Sequence, residues 1–334
     1  MPRRIALAIG LPRNREESEQ LIDKVRVAEQ VGVEAVFSGE TWGHDQFTFL
    51  TQLAMQTERI QLGTGIAPVY GRSPAMLAMT SASLDEISDG HMILGLGTSG
   101  ARVIEHWHGE PFDRPLQRLR EYIEIIKLIL AGERLVYSGE IFQMEIGFRL
   151  DFEPVRKKIP IYVASIAPKP IEQIGEVADG WMPIYWPKSR YSDGLAMIRE
   201  GAKRAGRDDD TIVLCPSVTT VIDDDPETAR QHARKPIAFY IGRMGVFYAR
   251  MLSRNGYAAE VEACQAAWRR HDPEGATAAI PDAMVQETAL AGSLDEVTKG
   301  LDELAEHGVD LPILSMPSGS LLKLDQVLGT LVNG

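Results

Sequence analysis

The stretch Ile87–Pro115, ISDGHMILGLGTSGARVIEHWHGEPFDRP, decides how the rest of the chain is read. Within it His91–Leu96 is a short apolar run bounded by Asp89–Gly90 and by Gly97, the profile of a strand buried on both faces. Gly97, Thr98, Ser99 and Gly100 follow at its C-terminal end. A backbone so poor in side chains can turn toward an anion and offer it N–H groups and hydroxyls, or can simply make a turn. Pro115–Leu130 then has the spacing of an amphipathic helix. The order is strand, glycine loop, polar excursion, helix.

Working outward, strand and helix patterns alternate. Ile5–Leu11 is a first strand, followed by a helix over Glu16–Val31 that Gly32 caps. Ala35–Ser38 is a second strand, ending at Gly39, Glu40, Thr41 and Trp42. A helix near Phe47–Gln56 leads to a third strand, Ile60–Ile66, and Pro74 starts the helix that runs to Glu86. After Pro115–Leu130 the rhythm breaks. Residues 134–150 carry β-branched and aromatic residues around a Ser-Gly turn, which predicts an inserted hairpin. Ile159–Ser165, Gly180–Tyr185 and Ile212–Ile222 are further strands, with helices over Pro168–Val177 and Tyr191–Ala205. Thr228–Ala279 is a long helical excursion. Ser293 and Glu296 form a capping box for a helix to His307, and Leu311–Met316 is the last strand. About eight β–α units in a chain of this length predict a single domain, an α/β closed parallel barrel with insertions.

The 334 residues are 44% hydrophobic and 25% charged, as in an ordinary globular protein. A net charge of −12 argues against nucleic acid or an anionic membrane as the main partner. Cys215 and Cys264 stand far apart with no metal-binding spacing, so both are expected to be reduced and structural. Pro12 and Arg13 end the N-terminal apolar run too early for a signal peptide, and no run approaches the roughly 20 residues of a membrane span. A cytoplasmic protein is expected.

A barrel places its active site at the C-terminal ends of its strands. There the sequence puts Glu40, Thr41 and Trp42; Gly65 and Ile66; Thr98, Ser99 and Gly100; Ser165 and Ile166; Tyr185 and Trp186; and Ser315 and Met316. This rim is poor in ionisable groups. It offers neither the paired carboxylates of a glycosidase nor the ligand set of a metal site, and it suits a flat organic cofactor that brings its own chemistry. His106 and His108 are two apart on what reads as a loop with no third ligand, so no metal is expected. Glu40 can equally be read as an N-cap, Gly65 as a strand bulge, and Trp42, Trp107 and Trp186 as core, interface or pocket aromatics.

LGTGIAPVYGRSP (Leu62–Pro74), LGLGTSG (Leu94–Gly100), EHWHGEPFDRPLQRLREYIEIIK (Glu105–Lys127) and ADGWMP (Ala178–Pro183) together resemble the bacterial-luciferase-like superfamily, in its branch of coenzyme F420-dependent oxidoreductases. The resemblance implies a (β/α)8 barrel that assembles as a homodimer or a dimer of dimers. It implies that Gly65–Ile66 is a non-prolyl cis peptide under the ring system and that Glu40 is a carboxylate beside it. It also implies that Thr98–Gly100 and Ala164, Ser165 and Ile166 hold the cofactor's phosphate and ribityl chain. Trp42, Trp107 and Trp186 become candidate walls of a substrate pocket. Some relatives carry His directly after the carboxylate and Glu at the end of the glycine loop. Thr41 and Gly100 stand there in this chain, which argues against a sugar-phosphate substrate and a His/Glu acid–base pair.

Three activities follow from the resemblance. The first is hydride transfer between C5 of the deazaflavin F420 and a small organic substrate. The second is an FMN-dependent monooxygenase fed by a separate flavin reductase. The third is a cofactor-free binding or subunit protein. Flavin-using relatives often place an arginine in the loop after the fourth strand, suited to a terminal phosphate monoester. Here that loop holds Thr98 and Ser99, with Arg102 only later. Hydroxyls and amides fit a phosphodiester that continues into a tail, and F420 has such a diester with a polyglutamate tail. F420 is therefore the expected cofactor and FMN the alternative.

Overall fold

The computed structural model describes residues 2–316 and 324–334. Its short apolar runs form parallel strands: β1 (Ala6–Ile9), β2 (Ala35–Ser38), β3 (Gln61–Thr64), β4 (Met92–Gly97), β5 (Ile161–Val163) and β6 (Gly180–Trp181), then β7 in two segments (Val213–Leu214 and Ser217–Ile222), and β8 (Ile313–Ser315). Neighbours in sequence pair from β1 through to β6, and β6 pairs with the first segment of β7. The second segment pairs with β8, which pairs with β1, with Ala6 facing Ala35 on one side and Ile313 on the other. The ring is closed, as the alternation of β and α predicts.

The predicted seventh strand, Ile212–Ile222, is broken at Cys215–Pro216. Proline has no N–H to give to the ladder, so the sheet hands over there. Cys215 donates to the Trp181 carbonyl at 2.8 Å and Ser217 to that of Pro183 at 2.8 Å, while the Pro216 carbonyl accepts from Ile313 at 2.8 Å. Two short segments lie outside the ring. Ala67–Pro68 pairs parallel with the end of β4, and Ala289–Gly292 pairs parallel with the outer half of β7; the sequence reading contained neither.

Closure leaves little room inside. Ala6, Ala35, Phe37, Ile93, Tyr162 and Cys215 belong to one small buried cluster, and the larger core lies between strands and helices. A Cβ on Gly63 would stand 2.3 Å from the Phe37 ring, and one on Gly95 would stand 1.8 Å from the Thr64 carbonyl oxygen. Thr64 stitches that seam, its hydroxyl donating to the Gly95 carbonyl at 2.7 Å and accepting its N–H at 2.8 Å. Both cysteines are free and buried.

Around the ring, helices Pro115–Leu130, Pro168–Val177 and Tyr191–Ala205 have the bounds read from sequence. Gly32 ends Arg15–Val31 in the left-handed region at φ 96°, and the Ser293–Glu296 capping box is formed. The excursion opens two residues before Thr228, at Pro226, because Asp225 caps it, and runs as helices Pro226–Arg243, Phe247–Leu252, Ala258–Arg269 and Pro273–Ala278. A further helix, Leu324–Asn333, was not anticipated. No described helix is long and apolar enough to cross a membrane.

The hairpin insertion is Leu135–Ser138 with Gln143–Phe148. One carboxylate moors it. Glu121, fully buried on helix Pro115–Leu130, accepts N–H groups of Glu140 (2.8 Å), Ile141 (3.1 Å) and Phe142 (2.9 Å) from the turn, and Gln117 Nε2 at 2.7 Å. Burial works to raise its pKa, but these donors outweigh that and hold it below the usual carboxylate value. Glu121→Ala should cost about 2–3 kcal/mol in urea denaturation at neutral pH, because three amides lose their partner, and Glu121→Gln should cost less. A carboxylate depressed in the folded state contributes its full stability above the unfolded pKa of about 4 and loses it as pH falls through the folded value. The wild-type advantage over Glu121→Ala should therefore shrink in acid. An advantage that persists unchanged there would contradict this account.

Candidate active site

Every residue singled out at the rim sits at the C-terminal end of a strand or just beyond it. At the end of β3 the Gly65–Ile66 peptide is cis, with Gly65 exposed at the mouth. Gly65 donates to the Ser38 carbonyl at 2.7 Å, at the end of β2. A Cβ on Gly39 would lie 2.9 Å from the Gly65 carbonyl oxygen, so the backbones of two loops meet where only glycine fits. The Ile66 carbonyl accepts Gln46 Nε2 at 3.4 Å. Beside this peptide Ser38 Oγ and Gln46 Oε1 are buried with no hydrogen-bond partner among the described residues. Buried polar atoms without partners are uncommon, and a pair of them at a barrel mouth fits a polar ligand edge.

The glycine loop follows β4. No N–H of Thr98, Ser99 or Gly100 is given to another described residue, and the Thr98 hydroxyl reaches only the Ser99 carbonyl, at 3.4 Å. Ser99 has a positive φ of 56°, which turns successive amides toward one side. The loop feeds directly into the helical turns Ala101–Val103 and Ile104–His108. Of the residues after β5, Ala164 is committed to the sheet, its N–H going to the Leu96 carbonyl at 2.9 Å. Ser165 is fixed by Trp181 Nε1 on its carbonyl at 2.8 Å, its hydroxyl accepts the Ala167 N–H at 3.4 Å, and the Ile166 N–H goes to no described residue.

Glu40 is not a helix cap. That place belongs to Asp45, whose side chain accepts the Thr48 N–H at 2.7 Å. Glu40 instead receives both arms of Arg72, at 2.5 and 2.7 Å, with side-chain exposures of 10% and 19%. Arg72 also pairs with Asp45 and lies 4.9 Å over the Phe47 ring. The hydrogen bond to Glu40 is the chief reason that the Arg72 guanidinium is held above its usual pKa. Behind it, Tyr122 donates to the Arg72 carbonyl at 3.0 Å and packs edge-on to Phe142 of the hairpin. Arg118 lies over Tyr70 at 4.7 Å and pairs with Asp113 at 2.9 Å. The clamp thus ties the loops after β2 and β3 to the helix after β4.

Trp42, past the end of β2, and Trp107, in the helical turn Ile104–His108, are both 61% exposed. Trp186 is not. It is 6% exposed, donates to the Arg190 carbonyl at 2.8 Å and stacks edge-on with Trp181, and with Tyr185 it lines a small cavity beneath the rim. His106 and His108 lie in a helical turn, not on a loop. The sequence reading held Arg72 only within the Leu62–Pro74 motif and gave no role to it, to Gln46 or to Tyr122. The available signal was a lone cation one residue before the Ser73–Pro74 helix start.

The family model described as luciferase-like monooxygenase matches residues 6–311. The chain belongs to the luciferase-like family. A Mycobacterium tuberculosis protein provisionally named a coenzyme F420-dependent oxidoreductase is 32% identical over 319 residues, 90% of this chain and 91% of that protein. The coenzyme F420-dependent tetrahydromethanopterin reductase of Methanopyrus kandleri shares the fold, with a TM-score of 0.83 at 23% identity over 99% of this chain and 97% of that one. The oxygenating constituent of a Pseudomonas putida Baeyer–Villiger monooxygenase, solved with FMN, does so as well, with a TM-score of 0.71 at 19% identity over 100% and 98%. This luciferase-like barrel therefore carries the fold of enzymes that use either ring system.

The Glu40–Arg72 pair has a measurable signature. Removing one partner leaves the other half-buried and unpaired, so Arg72→Ala and Glu40→Ala should each cost about 1–3 kcal/mol, and the double variant less than their sum. Chemical denaturation of the four proteins gives the coupling, expected at about 1–2 kcal/mol. Strict additivity would show that the pair is only surface decoration.

Proposed function

We propose that the protein is an F420-dependent oxidoreductase that moves a hydride between C5 of the deazaflavin and a small organic substrate. When bound, the deazaflavin supplies a two-electron hydride acceptor or donor that does not activate oxygen. The observation that carries the reading is the loop after β4: three consecutive N–H groups without partners among the described residues and two hydroxyls, with no arginine among Thr98, Ser99 and Gly100. Such a set suits a singly charged phosphodiester better than a monoester, which calls for a charge-assisted pair. The identity to the mycobacterial relative supports the same cofactor.

On this reading Thr98–Gly100, the Ser165 hydroxyl and the Ile166 N–H hold the phosphate and ribityl chain. The Gly65–Ile66 backbone supports the ring. Glu40 stands beside it with N–H donors already on both oxygens, so it meets a ligand as an acceptor. Trp42 and Trp107 would border the substrate. Met76, Met79 and Ile87 leave an apolar stripe on the exposed face of helix Pro74–Ile87, which supports assembly as a homodimer or larger homo-oligomer, a point that sedimentation velocity settles.

Equilibrium dialysis of the purified protein against F420 and FMN tests the cofactor. Binding of F420 at micromolar affinity or tighter, well above that of FMN, is expected. FMN binding with no detectable F420 binding would overturn the reading in favour of the monooxygenase, and binding of neither would favour a cofactor-free protein. Gly100→Val sharpens the test. Its backbone is extended (φ −117°, ψ 146°) and a Cβ there meets nothing within 4 Å, so thermal stability without ligand should hold while F420 binding weakens at least several-fold.

A further inference from the structure

In a chain of net charge −12 most described arginines are ion-paired, but at the ends of β4 and β5 several cations are not. Arg102, Lys169, Arg250 and Arg254 have no carboxylate partner within 4 Å among the described residues. Arg102 follows the glycine loop by two residues and Lys169 follows Ile166 by three. Arg254, from the excursion, reaches the same place, its Nη2 donating to the Ile166 carbonyl at 3.3 Å. The excursion thereby touches the β5 loop that carries Ser165 and Ile166.

Arg250 and Arg254 are one helical turn apart on the exposed side of Phe247–Leu252 and the turn that follows it. Like charges at this spacing repel. Both line a groove of about 520 Å³ whose floor includes Val246, Ala249 and Val261. Glu262 on the same groove is already taken by Arg269, at 2.6 Å, so it does not answer the two arginines. An open groove carrying two arginines without carboxylate partners thus adjoins the Ile166 carbonyl through Arg254.

We propose that this groove binds the oligo-γ-glutamate tail of the coenzyme, with Arg250 and Arg254 meeting its carboxylates beyond the phosphodiester. The inference rests on the F420 reading above and adds a second, electrostatic anchor to it. Flavin mononucleotide, which ends at its phosphate, would leave the groove unused.

The test is fluorescence titration of wild type, Arg250→Gln and the Arg250→Gln/Arg254→Gln double variant. Two ligands are used: F420 carrying several glutamates, and the deazaflavin core that lacks both phosphate and tail. Exposed ion pairs contribute little each and are screened by salt. The double variant should therefore lose roughly tenfold in affinity for F420, and Arg250→Gln alone roughly threefold, at low ionic strength. Affinity for the core should be unchanged, the salt dependence of F420 binding should flatten, and the ligand-free melting temperature should hold. Variants that bind F420 as wild type does would overturn the groove and leave the cofactor reading standing. An equal loss for core and coenzyme would also overturn it, pointing to a disturbed β5 loop. Wild type that binds no deazaflavin of either kind would remove the cofactor reading and the groove with it.

Discussion

Closure of eight parallel strands into one ring is the constraint on which the rest depends. It buries both faces of every strand and narrows the interior until backbones touch side chains across it. Phe37 occupies the space over Gly63, and the Thr64 carbonyl occupies the space over Gly95. Substituting either glycine would push against the ring itself. Because the interior is filled, a ligand has only the open end, where the loops after β2, β3, β4 and β5 converge. The same closure explains the break in β7, since one strand must serve β6 with its first half and β8 with its second.

The mouth has two unlike halves. After β4 and β5 it is made of amides, hydroxyls and small residues, a surface that can follow a flexible phosphate chain. After β2 and β3 it is fixed by charge. Arg72 holds Glu40 and Asp45 together over Phe47, and its carbonyl is held in turn by Tyr122. A rigid half beside an accommodating half suits a cofactor with a flat ring at one end and a polar chain at the other.

What could be read from sequence was whatever local chemistry dictates. Proline at the first turn gave the start of the helix at Pro74, and Gly32 gave the end of the first helix at Val31. Short apolar runs gave the strands. The rim followed from topology, because strand ends in a barrel share one face, so Gly65, Thr98 and Ser165 could be placed together before their contacts were known. The Glu40–Arg72 pair could not be read. Its members are 32 residues apart, and nothing in either neighbourhood names the other. The packing of Trp186 on Trp181 was not legible for a related reason, since an aromatic just past a strand end can point into the mouth or into the helical layer. The edge segment Ala289–Gly292 was hidden because an Ala- and Gly-rich run has little strand signature of its own.

The two thiols turn this architecture into a pair of internal clocks. Cys215 is sealed within the ring, and burial raises its pKa well above the ordinary thiol value. Cys264 lies in the helical excursion, where burial pushes its pKa up to about 11. Neither can react as a thiolate until its own layer opens. The rate at which a thiol reagent captures Cys215 counts openings of the barrel, and the rate for Cys264 counts loosening of the excursion. The native sequence thus carries, without engineering, one reporter for the scaffold and one for the insertion that borders its cationic groove.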